Sequence, residues 1–300
     1  MKVFGTMSKS KPLLLDGKSL SNKISSELRT RLSFHETKPG LAVIIVGDRK
    51  DSETYVRMKR IAAQNIGIDF RMYKHSDNIS ENDLLNEISL LNNDNNIDGI
   101  IVQLPLPQHI DKRKIISSIS IHKDVDGFHG LNIGNLALEG HEPLFSPCTP
   151  RGVMELLRAY NVELKGKHVV VLGKSNIVGL PMSLMMLNEN ATVTVCNQST
   201  QNEEQITRMA DVLVSAVGKP HLVKEDWVKD GVVVVDIGIN AILDTSKKLG
   251  YRIVGDVDFD GVSKKASMIT PVPGGVGPMT VAMLMKAVVE SFERRAHKND

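Results

Sequence analysis

Only two cysteines, Cys148 and Cys196, occur among the 300 residues. That excludes a disulfide framework or a thiolate metal cluster, and it makes a reducing compartment, the cytoplasm, the default. Charge of one sign is also scarce in excess: 37 Lys plus Arg against 35 Asp plus Glu leave a formal +2. Such a balance argues for neither a nucleic acid nor a membrane surface as partner. No uninterrupted apolar run approaches the roughly 20 residues that span a bilayer. Internal repeats and low-complexity stretches are missing, no metal site is expected, and neither G-x-G-x-x-G nor a Walker A sequence occurs. The first dozen residues, MKVFGTMSKSKP, are basic and contain no acid. They lack the arginines and the helical amphipathicity of a targeting segment, so a disordered start is expected, with mitochondrial import as the alternative to a cytoplasmic location.

What is present is the composition of a globular protein, 41% apolar and 24% charged, at a length that suits two domains. Apolar runs alternate with helical stretches. "LAVIIVGD" (41–48), "FRMYKH" (70–75) and "IDGIIVQLP" (97–105) read as strands, and "SENDLLNEISLLNN" (80–93) as a helix capped by its serine. After a Gly/His/Pro-rich stretch, "GHEPLFSPCTPRG" (140–152), the alternation restarts. "KHVVVLG" (167–173), "ATVTVCN" (191–197), "DVLVSAV" (211–217) and "GVVVVDIG" (231–238) are strands of a doubly wound rhythm. The expected fold is therefore α/β with two domains: an N-terminal catalytic domain over 1–149 and a Rossmann-type nucleotide-binding domain over 150–277. A last helix from about Pro278 packs back on the first. Thr149 is expected to cap the helix that follows it, with Pro150 in the first helical position.

One helix, "TYVRMKRIAAQNIGI" (54–68), carries an oddity. Asp51 or Ser52 would cap it, and Tyr55, Val56, Met58, Ile61, Ala62, Ala63 and Ile66 spread over a broad apolar arc. Lys59 falls inside that arc, one turn after Tyr55. A lysine there either snorkels outward or, partly desolvated, loses preference for its charged form and becomes able to accept a proton. Gln103 ends a buried strand, where open α/β sheets place ligands, although a satisfied structural amide would look the same. Asp124 and Asp126 in "KDVDGFHG" (123–130) read as acid–base chemistry or as a plain turn.

In the second half, "VVVLGKSNIVGLP" (169–181) is a strand, a glycine turn and a helix start near Val178. It reads as a dinucleotide cradle or as a tight strand–helix connection. No carboxylate follows the next strand to hold ribose hydroxyls. Lys174, unless simply a solvated loop lysine, tilts the choice toward NADP over NAD. "TPVPGGVGPMT" (270–280) is a rigid loop that would let backbone approach a flat ligand.

Taken together, "YVRMK" (55–59), "VQLPLP" (102–107), "KDVDGF" (123–128), "PCTPRG" (147–152), "GKSNIVGLPM" (173–182), "DIGIN" (236–240), "GDVDF" (255–259) and "TPVPGGVGPMTVAML" (270–284) closely resemble the bifunctional methylenetetrahydrofolate dehydrogenase/cyclohydrolase family. They run in the family's order over the chain from about Leu14. The resemblance implies oxidation of 5,10-methylenetetrahydrofolate with NADP, then hydrolysis of the methenyl product to 10-formyltetrahydrofolate, in one cleft between the domains. It further implies a homodimer and a place in one-carbon metabolism that feeds purine biosynthesis. By resemblance Tyr55 stacks on the folate, Lys59 is the key hydrolase residue, Gln103 contacts that lysine, and Asp126 holds the pterin edge. Gly127, Pro273, Gly274 and Gly275 line the folate site, while Gly173, Lys174, Ser175, Ile177, Gln198 and Ile239 contact the cofactor. One departure stands out: relatives commonly read Cys-His-Ser-Arg-Thr, or a variant with Lys, where this chain has Cys196-Asn197-Gln198-Ser199-Thr200. A dehydrogenase without hydrolase activity is the main alternative. A non-catalytic folate binder would have lost one of Tyr55, Lys59, Gln103 or Asp126. A short-chain carbonyl dehydrogenase would place its nucleotide glycines before the Tyr/Lys pair.

Overall fold

The structure is a computed structural model that describes residues 11–247 and 250–299. Nearly all of the expected disordered start lies outside those residues. In chain order the first elements are β1 (Leu13–Leu14), α1 (Gly17–Leu32), β2 (Gly40–Val46), α2 (Lys50–Ile66), β3 (Asp69–His75) and α3 (Glu81–Asn93). Next come β4 (Gly99–Val102), α4 (Lys112–Ser118), α5 (Gly130–Ala137), α6 (Cys148–Ala159), β5 (His168–Leu172) and α7 (Gly179–Asn188). Then follow β6 (Thr192–Cys196), α8 (Glu203–Arg208), β7 (Val212–Ser215), β8 (Val233–Asp236), β9 (Asn240–Leu243) and β10 (Tyr251–Val254). The chain ends with α9 (Phe259–Val262), β11 (Met268–Ile269) and α10 (Val276–Asn299).

Two compact units result. One comprises Lys18–Glu155 with the chain from Pro278 onward, the other the residues up to Gly17 with Leu156–Gly277. The first holds a parallel sheet in the order β3-β2-β4. Its central strand is apolar throughout because both faces are covered. Leu41, Val43 and Ile45 join a core with Val56, Ala63 and Ile66 of α2 and with Met279, Met283 and Val288 of α10. Ala42, Ile44 and Val46 join another with Leu84, Ile88 and Leu91 of α3. The Ser80 hydroxyl accepts from the Asp83 N–H at 3.1 Å, so α3 starts on its serine as expected.

The second unit is a six-stranded parallel sheet, β1-β11-β8-β7-β5-β6, with β9 and β10 as a separate antiparallel pair. The chain goes from β5 to β6 on one side and then returns to β7 on the other. The topological switch point therefore lies between β5 and β7, at whose carboxyl ends a doubly wound sheet takes its ligand.

Four boundaries differ from expectation. Residues 11–17 belong to the nucleotide unit, because Leu13 and Leu14 pair in parallel with Met268 and Ile269. The later boundary falls at Glu155/Leu156 rather than 149/150, inside the continuous helix α6. The Gly/His/Pro-rich stretch is thus mostly a loop within one unit. Helix α2 starts at Lys50, so Asp51 and Ser52 lie in its first turn instead of capping it. Helix α6 starts at Cys148, and the Thr149 hydroxyl pairs with that of Thr280 at 3.0 Å.

Candidate active site

Helix α2 begins where β2 ends, at the carboxyl rim of the three-stranded sheet, and runs back over the core. Its apolar arc is used in two ways. One side, Val56, Ala63 and Ile66, is buried in the core, 3%, 0% and 3% exposed. The other side, Tyr55, Met58 and Ile61, stays exposed, 41%, 45% and 52%. Lys59 lies on the same face as Tyr55, four residues on, and is partly buried.

Its ammonium donates to Gln103 Oε1 at 3.1 Å. Gln103 directly follows β4, so it stands at the same rim. Its backbone N–H donates to Ile44 O (2.9 Å) and its side-chain amide to Leu104 O (3.0 Å). The amide nitrogen being held this way, the oxygen is presented to Lys59. Sequence reasoning left open whether Gln103 was structural; the geometry makes it both a strand-end fixture and the partner of Lys59.

Asp124 and Asp126 turn out to divide the two roles between them. Asp124 is 1% exposed and accepts from Phe128 N–H (3.2 Å), His129 N–H (2.8 Å) and Asn132 Nδ2 (2.8 Å). It is the turn builder, and burial pushes its carboxyl up to about 6, with nearby Asp126 adding to the rise. Asp126 accepts no hydrogen bond among the described residues. Dense surroundings raise its pKa above the ordinary carboxylate range, and the charge of Lys59 opposes that rise. Gly127 holds φ +73°, and a Cβ there would lie 2.5 Å from the Ser146 carbonyl carbon. Only glycine allows that approach.

Cys148 lies close enough to feel Asp126 and Lys59, but it is no nucleophile. Its thiol donates to Val125 O at 3.2 Å, and burial drives its pKa well above the usual value.

In the nucleotide unit, Gly173 ends β5 with φ +113°, and a Cβ would meet Ala216 O, at the end of β7, at 2.4 Å. The glycine turn therefore sits directly on the switch point. The expected anion site on the first turn of α7 is altered, because Ser175 Oγ accepts from Val178 N–H (3.2 Å) and Gly179 N–H (3.4 Å). Ser175 satisfies the helix start itself. The N–H groups of Ser175, Asn176 and Ile177 donate to nothing among the described residues, so the loop rather than the helix keeps donors free.

Lys174 and Gln198 are exposed, as is Ile239 at 47%. The loop carrying Gln198 is closed on itself. Asn197 Oδ1 accepts from Ser199 N–H at 3.1 Å, and Thr200 Oγ1 from Asn197 N–H at 2.9 Å. Residues 196–202 contain no carboxylate; the first to follow is Glu203, whose charge reaches Cys196 at the end of β6. Pro273, Gly274 and Gly275 form a turn closed by Gly275 N–H on Pro271 O (2.8 Å), and the Val272–Pro273 bond is cis. These residues belong to the nucleotide unit, not to the one that carries Lys59.

Sequence reasoning missed two residues of weight, Asp236 and Asp256. Both are almost fully buried, at 3% and 0%, among the strand ends of the six-stranded sheet. The signal was available: each adjoins a close glycine, in "DIG" and "GDV".

Comparison with known proteins identifies the family. The model of the tetrahydrofolate dehydrogenase/cyclohydrolase catalytic domain matches residues 15–126, and that of the same family's NAD(P)-binding domain matches 147–296. Bifunctional protein FolD 2 of Arabidopsis thaliana is 51% identical over 94% of this chain and 95% of its own length. Among solved structures, the bifunctional FolD enzyme of Campylobacter jejuni superposes with a TM-score of 0.88 at 51% identity, covering 94% of this chain and 99% of that one. The methylenetetrahydrofolate dehydrogenase-cyclohydrolase of Trypanosoma brucei, solved with NADP and an inhibitor, gives 0.92 at 43% identity over 96% and 99%. With a family model on each half and full-length relatives near 50% identity, the chain belongs to the tetrahydrofolate dehydrogenase/cyclohydrolase family.

Proposed function

We propose that this protein oxidises 5,10-methylenetetrahydrofolate to the methenyl cation with NADP+, then hydrolyses that cation to 10-formyltetrahydrofolate. The observation that carries the proposal is the Lys59–Gln103 hydrogen bond at 3.1 Å beside a carboxylate, Asp126, with open acceptor capacity.

NADP+, when bound, supplies the hydride acceptor. The chain's part in that step is positioning, because loss of hydride leaves a resonance-stabilised cation that needs little acid–base help. The glycine turn at the switch point, the free N–H groups after Lys174 and a loop without Asp or Glu over residues 196–202 fit a phosphorylated dinucleotide. Lys174 is the cation for its 2′-phosphate, and Gln198 and Ile239 are the further contacts proposed.

In hydrolysis, water adds to the amidinium carbon and gives up a proton; the hydroxyl of the adduct then loses its own proton as one C–N bond breaks and the ring nitrogen takes a proton up, so one proton is released overall. A single group placed to take and give a proton serves these transfers. Lys59 Nζ is that group, held toward the rim by Gln103. Asp126 accepts hydrogen bonds from the pterin edge, and Tyr55 offers its exposed ring as a stacking surface. Gly127 is the further folate contact proposed beside Asp126, and Pro273, Gly274 and Gly275 are those proposed from the nucleotide unit.

Two buried free cysteines support a reducing compartment. No helix of the described residues is long and apolar enough to cross a membrane. We further propose a homodimer formed through the nucleotide unit. There Leu180, Leu187 and Val195 are 40%, 49% and 41% exposed on or near edge strand β6. The formyl product would supply one-carbon units for purine synthesis.

The test follows absorbance with methylenetetrahydrofolate and each nucleotide in turn. Methenyl formation faster with NADP+ than with NAD+, followed by enzyme-dependent decay, is expected. Formation without accelerated decay leaves a dehydrogenase alone, and absence of formation overturns the reading.

A further inference from the structure

We propose that Asp236 and Asp256 are a positioning pair that sets the cofactor-facing edge of the nucleotide unit, governing dehydrogenation without touching cofactor or folate. The proposal rests on the functional reading above and adds residues to which that reading gives no part.

Asp256 gathers donors from two strand ends. Its Oδ2 accepts from Val217 N–H (2.8 Å), Gly218 N–H (3.2 Å) and the Ser215 hydroxyl (3.2 Å). Its Oδ1 accepts from Lys219 N–H (3.0 Å) and Asn240 Nδ2 (2.9 Å). Asp236 gathers from the next ones. Oδ1 accepts from Gly238 N–H and from Asp256's own N–H, and Oδ2 from Val257 N–H, all at 2.9 Å. The backbone N–H of Asp236 donates in turn to the Thr270 hydroxyl at 2.7 Å. A Cβ on Gly255 would lie 1.8 Å from Asp236 Oδ2, so that glycine is what lets the chain close on the carboxylate.

The segments tied together in this way are the ones that matter for the cofactor. Residues 217–219 follow Ala216, whose carbonyl packs on the Gly173 turn at the switch point. Ile239 has its neighbour Gly238 held on Asp236 and its neighbour Asn240 held on Asp256. Thr270 opens the turn that carries Pro273 and Gly274. Without the pair, eight backbone and side-chain donors would lose their acceptors at one edge of the sheet.

Burying two carboxylates this near each other is unfavourable, and a fold needing only stability at those loop ends has apolar solutions. The amino-end side of the same sheet shows the ordinary alternative. There Asp211, before β7, is only partly buried and pairs with Lys229 at 2.6 Å. The expensive arrangement is confined to the edge where the ligand binds.

The test uses two full-length variants. Asp256→Asn replaces one acceptor oxygen by an NH2 group facing N–H donors, and Asn240→Ala removes the single arm next to Ile239 while keeping the carboxylate. For Asp256→Asn the KM for NADP+ is expected to rise about tenfold or more, as for loss of one hydrogen bond to a charged acceptor. The loss in dehydrogenation should exceed the loss in methenyl hydrolysis, which consumes no nucleotide, by at least about fivefold. For Asn240→Ala an increase of about threefold in the same KM is expected, with the urea midpoint retained. If Asp256→Asn fails to fold, Asn240→Ala decides alone. An unchanged KM for NADP+ in Asn240→Ala, or both activities of Asp256→Asn falling in step with the folded fraction, overturns the proposal. A wild-type protein with no NADP+-dependent turnover would instead overturn the functional reading beneath it.

Discussion

Asp126 and Asp256 stand in densely packed surroundings, one in each unit, and use their oxygens in opposite ways. Asp256 accepts five hydrogen bonds from the chain around it. Asp126 accepts none among the described residues and has only the charge of Lys59 to offset its loss of hydration. The same division appears within one loop, where Asp124 is saturated by three donors two residues before Asp126. A carboxylate filled by backbone N–H groups holds shape and has nothing left for a ligand. One left open in a desolvated place is poised for a ligand that brings donors of its own.

The sharpest way to break this comparison is at Lys59, the cation facing the open carboxylate. Lys59→Ala is expected to lower methenyl hydrolysis by about 10²–10⁴-fold, the range of a lost general acid–base group. Hydride transfer should keep at least about a tenth of its rate, since positioning dominates that step. Stopped-flow absorbance separates the two, and an equal loss of both would remove the special role given to Lys59.

The saturated carboxylates are tested by pH. Burial holds Asp124 and Asp236 at about 6 in the folded protein, against about 3.9 for an unfolded aspartate. The folded state therefore binds these protons more tightly than the unfolded one. Their favourable contribution is complete below about pH 4 and is lost as pH rises through about 6. A shift of about two units corresponds to about 3 kcal/mol at each site. In urea unfolding, the advantage of the wild type over Asp124→Asn should shrink by about that amount between pH 4 and 7.5. An advantage that grows with pH would mean that the three donors outweigh burial.

A smaller effect is expected at the open carboxylate itself. Asp126→Ala should raise the folate KM in both activities by about 10–100-fold, equivalent to the 1.5–3 kcal/mol of a charge-assisted hydrogen bond. Stability should change little, because no chain donor loses a partner. A variant that unfolds easily yet binds folate normally would place Asp126 with Asp124 rather than opposite it.

How much of this was legible in the sequence follows the same line. Strands buried on both faces were readable because "LAVIIV" and "VVVL" are apolar without interruption. The Lys59 oddity was readable because one helix face has a period. What the period could not reveal is that a single arc is half buried and half exposed, which depends on how far round α2 its neighbours reach. Leu13–Leu14 is too short to carry a pattern, so its transfer to the nucleotide sheet was missed. Asp51 and Ser52 were misplaced as caps because α2 starts one residue earlier, at Lys50, whereas Thr149 lost its cap role to a tertiary partner. Thr149 found Thr280 instead. Asp236 and Asp256 were hidden for a related reason: their partners are backbone N–H groups, which every sequence supplies. The nearby glycines and their place in "DIGIN" and "GDVDF" mark the segments, but not the role of the carboxylates.

The cofactor loop gives the mildest test and bears on the one place where this chain departs from its family's usual pattern. Lys174 is exposed and has no partner among the described residues. Solvent screens a charge so placed, so its attraction to a 2′-phosphate is worth about 1 kcal/mol. Lys174→Ala should accordingly raise the KM for NADP+ by about fivefold and leave that for NAD+ within about 1.5-fold. The effect should fade in high salt, because exposed ion pairs are screened beyond a Debye length of about 8 Å at physiological ionic strength. If both nucleotides weaken equally, Lys174 serves the shared pyrophosphate. The preference for NADP+ then has to come from the Asn197–Thr200 turn, whose exposed Gln198 and Ser199 are the polar groups left at that strand end.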